Sequence, residues 1–337
     1  MNISFWPPRL ICFGSFVGDV LSAGLIFGVL SILPCSAQEQ PYPTGPVRFI
    51  VGAPPGGPID VAARLLAQYI PAILKQPTIV ENKPGAGGIV ATRTVATATP
   101  DGLTVLSAAN SLLATEKANS EAGYYVERDL LPVLSIGWTP NVIVAAPALS
   151  VSSLKQLIEF ARQHDLNYGT LGSGTTTHLM TEYLFRDVAH VNIQHVAYPG
   201  SAPALQAVAG NQLDLAIVAM IAAVPLIQAH QIKALAVTSN RRVASLPDVP
   251  TLAEAGYPGN DYVTWVGFFM PSATPERISH SFARAALQAI ATDEVHEKLG
   301  ALGFEVETTS GEQFKEQVSA ELDHWGKVVA QTGIKAE

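Results

Sequence analysis

Two glycine-containing loops, each placed between an apolar run and a helical pattern, carry groups suited to binding an anion. The first spans residues 54–57 and reads Pro-Pro-Gly-Gly, and the second spans residues 169–178 and contains several hydroxyl side chains. Glycine lets backbone N–H groups approach an anion, hydroxyls donate to it, and a helix N-terminus favours negative charge. Neither loop contains Lys or Arg, so neutral donors would have to hold a carboxylate. The alternative is that both loops are only tight turns with helix caps.

The catalytic signatures that can be tested in this sequence are incomplete. The stretch at residues 85–88 begins like a dinucleotide-binding fingerprint, but Val90 stands where its last glycine belongs. There is no Gly-Lys-Ser/Thr of a P-loop, and the histidines do not show a metal-binding spacing. We therefore predict no catalytic residue, no metal site and no cofactor. Ser173 and His178 are close enough in sequence to leave a nucleophile–base pair open as an alternative.

A repeated strand–helix order in the first part of the chain would position these loops. Residues 47–51, 78–80 and 103–108 are short apolar runs typical of buried strands. Apolar side chains recur at helical spacing after the loop at 54–57 and again after a glycine loop at 84–88. Alternation of this kind predicts a parallel sheet with helices on its faces.

The same alternation restarts near residue 142. A capping box at residues 153–156 opens a helix to His164, and the loop at 171–175 leads into a helix that ends near Phe185. Further strands are predicted at residues 167–169, 193–196, 213–219 and 232–237.

Longer helices return in the last part of the chain. Thr274 before Pro275 predicts an N-cap followed by proline at the first helical position. Residues 310–313 form another capping box, and the helix that it opens has apolar side chains three or four residues apart. That stripe consists of Phe314, Val318, Leu322 and Trp325.

The pattern predicts two lobes joined by crossing strands, because it restarts twice without a low-complexity linker. We place lobe 1 at residues 42–140 together with 258–337, and lobe 2 at residues 141–257. The hinge candidates are residues 131–144 and 257–268.

Composition limits the class of protein. The chain has 337 residues, of which 48% are apolar and 14% charged, and its formal net charge is −8. These values suit a folded core and exclude a disordered chain. A nucleic-acid-binding protein would show clustered basic residues, which are absent from the sequence. We therefore expect no nucleic-acid partner.

The N-terminus resembles a secretory signal. The apolar stretch 10–33 is interrupted by Asp19, and small residues at its end predict cleavage after Ala37, which makes residues 1–37 a signal peptide and the mature protein periplasmic. Cleavage would remove both cysteines, so the mature protein would have neither thiol nor disulfide. A retained membrane anchor is the main alternative. A lipoprotein modified at Cys35 is another, although Pro34 directly before this cysteine fits it poorly.

Motifs along nearly the whole remaining chain, from Tyr42 to Ile334, resemble those of the Bug family, the extracytoplasmic solute receptors of tripartite tricarboxylate transport systems. The motifs lie in the same order as in the family. They are Pro54-Pro55-Gly56-Gly57-x-x-Asp60, Val80-Glu81-Asn82-Lys83-Pro84-Gly85-Ala86-Gly87-Gly88, Pro100-Asp101-Gly102, Tyr168-Gly169 with the loop to His178, Tyr198-Pro199-Gly200-Ser201-Ala202-Pro203-Ala204, Leu235-Ala236-Val237-Thr238-Ser239, Leu246-Pro247-Asp248-Val249-Pro250-Thr251 with Glu254-Ala255-Gly256, and Trp325-Gly326-Lys327-Val328-Val329.

The resemblance implies an α/β, two-lobed periplasmic-binding-protein fold (Venus flytrap, type II), in which each lobe is a sheet flanked by helices. It implies a small organic carboxylate held between the lobes with the help of ordered water. His178 would either face this ligand or cap its own helix, and Asp60 and Asp214 would either touch the ligand or brace a loop or strand end. The implied ligand-binding residues are Ala53, Gly56, Gly57, Asp60, Ser173, Gly174, Thr177, His178, Tyr198, Gly200, Ser201 and Asp214.

The sequence departs from the family pattern at several places. Gly52 and Ala53 stand where the family commonly has Pro-Phe, and Pro199 stands where Lys is usual. Val218 and Ala222 replace the Asp and Ser that often follow the Asp214 strand. We therefore expect a cleft that is roomier and less polar than is typical, and a ligand with an apolar or aromatic body.

The resulting interpretation is a monomeric periplasmic receptor that hands a small organic carboxylate to membrane transporter subunits without chemical conversion. Two alternatives stay open at this point. The same fold could serve as a ligand sensor for a signalling histidine kinase, or the chain could be an exported enzyme acting on a carboxylate.

Overall fold

The computed structural model describes residues 41–301 and 303–334. The predicted signal peptide at residues 1–37 therefore lies outside the described residues. Within them, no helix combines the length and apolarity needed to cross a membrane.

Three parallel strands form the first strand group, in the spatial order β2-β1-β3. Each strand is followed by a helix, as the alternating pattern predicts. The elements are β1 (Val47–Val51), α1 (Pro58–Leu74), β2 (Thr78–Asn82), a 3₁₀ turn (Ala86–Gly88), α2 (Ile89–Ala96), β3 (Thr104–Ala109) and α3 (Ser111–Ala118).

A short helix, α4 (Val126–Asp129), and a long strand, β4 (Leu130–Ala145), lead to the second strand group. This group contains three more parallel strands in the order β7-β5-β6, and an additional strand, β8, that pairs with β4. Its elements are α5 (Leu154–Ala161), β5 (Asn167–Thr170), α6 (Thr176–Glu182), β6 (Gln194–Ala197), α7 (Ser201–Ala209), β7 (Leu215–Ala219), α8 (Met220–Gln228) and β8 (Lys233–Val237). Helix α6 continues as a π-helical segment at Tyr183–Val188.

The chain then returns to the first strand group and ends in helices. Strand β9 lies antiparallel between β3 and β4, and a two-residue strand, β10, also pairs with β4. These last elements are β9 (Val263–Pro271), α9 (Glu276–Ile290), α10 (Asp293–Ala301), β10 (Thr309–Ser310) and α11 (Gly311–Thr332).

Strand β4 joins the two groups. Its residues 130–140 pair with β9, and its residues 141–145 pair with β7 and β8. The expectation of a parallel sheet is correct within each strand group, and the sheet as a whole is mixed. The physical reason is that β4 carries the chain out of the first group and β9 brings it back beside β4, so these two strands run in opposite directions.

Buried apolar clusters cover both strand groups. The predicted stripe on α11 is buried, with Phe314 and Val318 at 0% and 1% exposure. Phe314 packs edge-on against Trp265 of β9, with ring centroids 5.4 Å apart. The stripe prediction is therefore confirmed, and α11 is anchored to the strand that returns from the second group.

The predicted helix caps have mixed outcomes. Ser153 Oγ accepts a hydrogen bond from the Gln156 N–H at 3.2 Å, as expected, but α5 ends at Ala161 and not at His164. The Ser310 side chain does not cap α11, so that part of the second capping box is wrong. Helix α9 is preceded by Pro275 with no side-chain cap, and the Thr274 hydroxyl is buried without a hydrogen-bond partner among the described residues.

Candidate ligand-binding cavity

A cavity of about 580 Å³ is enclosed by loops from both strand groups. The first group contributes the loops that follow β1, β2 and β3, together with Thr264 of β9. The second group contributes the loops that follow β5 and β6. All five loops lie at the carboxyl ends of parallel strands, where open α/β sheets bind their ligands.

Five helices begin at the wall of this cavity among the described residues: α1, α2, α3, α6 and α7. None of the five has a side-chain hydrogen bond at its N-cap. The first N–H groups of a helix have no partner within the helix and carry a partial positive charge. The cavity therefore collects backbone donors from five directions.

The cavity wall carries no formal charge, because none of the described residues that line it is Asp, Glu, Lys or Arg. Arg64 and Lys83, the nearby cations of the first strand group, are not among the lining residues. The Arg64 guanidinium instead donates to Asp60 at 3.0 Å and to Asn82 Oδ1 at 2.8 Å. Positive potential in the cavity must therefore come from backbone dipoles and not from cationic side chains.

The first predicted loop reaches the cavity with Ala53 and Gly57, whereas Gly56 and Asp60 are not in the wall. The buried Asp60 carboxylate accepts hydrogen bonds from the Gly56 N–H at 3.0 Å, from Arg64 Nε and from Asn82 Nδ2 at 2.8 Å. Burial by itself would raise the pKa of Asp60, but these hydrogen bonds outweigh burial and lower the pKa.

Asn82 ties the same loop at a second atom, since its Nδ2 also donates to the Ala53 carbonyl oxygen at 2.9 Å. The carboxylate and the amide therefore hold the loop at both of its ends. Of the two roles that the sequence left open for Asp60, the geometry corresponds to bracing the loop.

The second predicted loop reaches the cavity with Ser173 and Thr177, and Gly174 and His178 lie behind it. The Gly174 N–H donates to His178 Nδ1 at 3.0 Å, so the histidine closes the turn that precedes its own helix. Because Nδ1 accepts this backbone hydrogen, it is not available as a base toward Ser173. The nucleophile–base pair that the sequence left open is not formed in this arrangement.

A second histidine, His195, lies directly against the first and does line the cavity. The two rings are stacked, with centroids 3.7 Å apart, and His195 Nε2 is 2.7 Å from the Thr170 hydroxyl oxygen. Burial and the neighbouring His178 lower the pKa of His195 to about 3. Burial also lowers the pKa of His178, against the opposing effect of Glu182. Both rings are therefore neutral at pH 7.

The third predicted segment lines the cavity with Tyr198, Gly200 and Ser201. Asp214 is not in the wall, because its carboxylate accepts from the Asn167 N–H at 2.9 Å and joins the beginnings of β5 and β7. For Asp214 the geometry again corresponds to bracing a strand end.

The expected effect of positions 218 and 222 on cleft polarity is wrong. Val218 is fully buried in the core and pairs with Val142 of β4, and Ala222 lies on α8 away from the wall. Gly52, Ala53 and Pro199 do line the cavity, so these three departures from the family pattern are at the site.

Several residues that line the cavity were not predicted from the sequence. The glycine loop 85–88 meets the same criterion as the two loops that were chosen, since it follows a parallel strand and precedes a helix. Residues 107–111 span the end of β3 and the start of α3, but nothing in their sequence marks them as a site. Thr264 carried no local signal at all, because it reaches the cavity only through the pairing of β9.

The mixed sheet in two groups, with a cavity between loops of both, defines a two-lobed solute-binding protein of the periplasmic type. The predicted fold class is confirmed by solved structures of such proteins. Rpa4515 of R. palustris, solved with adipate, is 34% identical with a TM-score of 0.83, covering 87% of this chain and 99% of that chain. MatC (Rpa3494) from Rhodopseudomonas palustris, solved with bound malate, is 30% identical with a TM-score of 0.79, covering 86% and 100%.

The chain belongs to the tripartite tricarboxylate transporter family receptors, whose family profile matches residues 62–334. It is 34% identical over 306 residues to protein BugT of Bordetella pertussis. This alignment covers 90% of this chain and 93% of BugT. The resemblance to the Bug family that the motifs indicated is therefore confirmed, and the family is one of solute-binding receptors.

Proposed function

We propose that this protein captures a small organic carboxylate between its lobes and delivers it to a membrane transporter in the cell envelope. The observation that carries this proposal is the neutral cavity at which five helices begin. Backbone N–H groups and hydroxyls can hold a carboxylate without a cationic side chain. Adipate and malate, the ligands in two related structures, are both small carboxylates.

The ligand that suits this cavity has an apolar body. Between the backbone donors the wall is formed mainly by apolar side chains, and no cation is present among the described lining residues to meet a second negative charge. Burial of hydrocarbon against these groups would add to the affinity at roughly 25 cal/mol per Å². The apolar wall residues include Ile59, Leu106, Ala108, Leu112, Leu171 and Ala197.

Capture would proceed by closure of two lobes without chemical conversion. We assign residues 42–140 with 258–337 to lobe 1 and residues 141–257 to lobe 2, with hinges at residues 131–144 and 257–268. The lobes then meet at Gly200 and Pro54, where an added Cβ on Gly200 would lie 3.1 Å from the proline ring. Within this scheme the protein acts as a monomer without a cofactor.

The direct test is titration calorimetry of the protein with a panel of mono- and dicarboxylates, followed by hydroxyl-removing variants. Ser173→Ala and Thr177→Ala should each weaken carboxylate binding roughly 10- to 100-fold, because each removes one hydrogen bond to a charged group. The matched control is Thr94→Ala, whose hydroxyl bonds to the Val90 carbonyl oxygen on the exposed side of α2.

The opposite pattern would overturn the proposal that uncharged donors hold the carboxylate. Undiminished affinity in Ser173→Ala and Thr177→Ala, together with a large loss in Lys83→Ala, would assign the ligand's charge to a cation. Failure of every carboxylate to bind would overturn the proposed ligand class.

A further inference from the structure

Asn110 stands where a helix cap is expected but does not act as one. It follows β3 and precedes α3, and asparagine at this place normally accepts a hydrogen bond from the first helical turn. Here its side chain makes no such bond. Its Nδ2 instead donates to the carbonyl oxygen of Val263 on β9 at 2.9 Å. Because a carbonyl oxygen can only accept, this contact settles which end of the amide is nitrogen.

The other end of the Asn110 amide is therefore the oxygen, Oδ1, which accepts no hydrogen bond from the described residues. Asn110 lines the cavity and is 4% exposed. Its Oδ1 is buried and has no hydrogen-bond partner among the described residues. Burial of an acceptor without a hydrogen-bond partner costs free energy. We therefore expect the ligand to supply a donor.

Among the described residues that line the cavity, two other side-chain oxygens are buried without a hydrogen-bond partner, but they differ in kind from the Asn110 oxygen. These are the hydroxyls of Thr176 and Ser201, at the beginnings of α6 and α7 in the second strand group. A hydroxyl can rotate and donate to a carboxylate, whereas the oxygen of an amide can only accept. A carboxylate placed at Asn110 would bring two acceptors together. The Asn110 oxygen therefore requires a donor from the ligand, whereas the hydroxyls of Thr176 and Ser201 can also pair with an acceptor.

We propose that Asn110 is a specificity-determining residue that selects carboxylates with a hydroxyl group remote from the carboxylate. The ligand class is then the hydroxy-substituted apolar acids, in preference to unsubstituted acids and to dicarboxylates. This inference rests on the proposed function, because it assumes that a carboxylate occupies the second-group side of the same cavity.

The test is titration calorimetry with two sets of matched probes on the full mature chain. The aliphatic set is hexanoate, 6-hydroxyhexanoate and adipate, and the aromatic set is benzoate, its three monohydroxy derivatives and terephthalate. In at least one set a hydroxy acid should bind roughly 10-fold or more tightly than the unsubstituted acid. The dicarboxylate of that set should bind more weakly than the hydroxy acid.

The variant Asn110→Leu should abolish this preference, so that the hydroxy acid and the unsubstituted acid bind within about 2-fold of each other. Loss of the Val263 contact affects both probes equally, and their ratio isolates the lost acceptor. Asn119→Leu is the matched control at the opposite end of α3, where the side chain accepts from the Glu121 N–H. It should retain the wild-type preference.

Each other outcome has a definite meaning. Equal binding of hydroxy and unsubstituted acids by the wild type in both sets would overturn the inference and leave the proposed function intact. The same holds if a dicarboxylate binds most tightly, or if the preference persists in Asn110→Leu. If none of the probes binds, the proposed ligand class fails and this inference fails with it. If Asn110→Leu does not fold, the wild-type ratios decide alone, with Asn110→Ala as the second variant.

Discussion

At the residue scale, Asp60 illustrates how a buried carboxylate can serve a binding site without touching the ligand. Its oxygens accept from the Gly56 N–H, from Arg64 and from Asn82, and Asn82 also holds the Ala53 carbonyl oxygen. The conformation of the first cavity loop therefore depends on charge-assisted hydrogen bonds located behind it. Such bonds are worth more than neutral ones.

We expect Asp60→Asn to destabilise the fold by about 1.5–3 kcal/mol, because the amide cannot accept all of these donors and its own N–H₂ would face one of them. Ligand affinity should fall as the loop loses its brace. Because folding lowers the pKa of Asp60, its contribution to the free energy of unfolding is fully present above the unfolded-state pKa of ~4. This contribution declines as the pH falls through the folded-state pKa. The stability difference between the two proteins should therefore narrow on acidification.

Urea unfolding at pH 7 and pH 3 measures this difference. Glu81→Gln is the control on the adjacent strand, since Glu81 forms an ion pair with Arg48 in which both side chains are partly exposed, at 33% and 43%. Exposed pairs contribute at most about 1 kcal/mol. Equal effects of the two substitutions at pH 7 would contradict the bracing role of Asp60.

At the scale of elements, helix N-termini in this protein differ in whether a side chain caps them. Helix α5 is closed by the Ser153 hydroxyl, whereas the five helices at the cavity have no side-chain cap. Side-chain caps would occupy the N–H groups that a bound anion needs. Sequence patterns alone do not show which helix has a side-chain cap, since the Ser153 and Ser310 segments both match a capping box but only Ser153 caps its helix.

The two capping boxes offer a matched comparison. Ser153→Ala should lower the free energy of unfolding by about 1 kcal/mol, because its hydroxyl accepts the Gln156 N–H. Ser310→Ala should change the free energy of unfolding by less than about 0.5 kcal/mol, since its hydroxyl does not cap α11. Urea denaturation of the two variants beside the wild type measures both, and a larger effect at Ser310 would show that the cap assignment is wrong.

At the scale of the whole molecule, the approach of the two strand groups depends on glycines at their contact. Gly200 has an extended backbone that any residue can adopt, yet a Cβ there would lie 3.1 Å from Pro54. A Cβ on Gly172 would lie 3.5 Å from the Cα of Gly87. The close approach of residue 200 to Pro54 therefore depends on the absence of a side chain there, whereas a Cβ on Gly172 would make only an ordinary van der Waals contact.

Gly200→Val should hold the strand groups apart and weaken ligand binding roughly 10- to 100-fold, as expected if overpacking costs ~1–3 kcal/mol in the closed form. Small-angle scattering with saturating ligand should give a larger radius of gyration than the wild type. Gly300→Val is the control, because a Cβ added at Gly300 on α10 would meet no neighbouring side chain or loop within 4 Å among the described residues. Wild-type affinity and scattering in Gly200→Val would rule out this contact as the limit to closure.

Much of this architecture was predictable because its signals are local. Apolar runs, helical spacing and glycine loops placed the strands of both groups within a few residues, and the motifs identified the family. The same local signals showed that both chosen loops contain no cation, which holds for the whole described cavity wall.

Tertiary structure alone decided which loops meet and what each side chain does there. The Asn110 amide is oriented by Val263, 153 residues later in the chain, and Thr264 reaches the cavity only because β9 returns beside β4. Asp60, His178 and Asp214 matched the family pattern, but whether such residues face a ligand or brace a loop depends on partners brought close by folding. Sequence patterns report the conformational preferences of short segments, whereas these contacts arise from the packing of segments far apart in the chain.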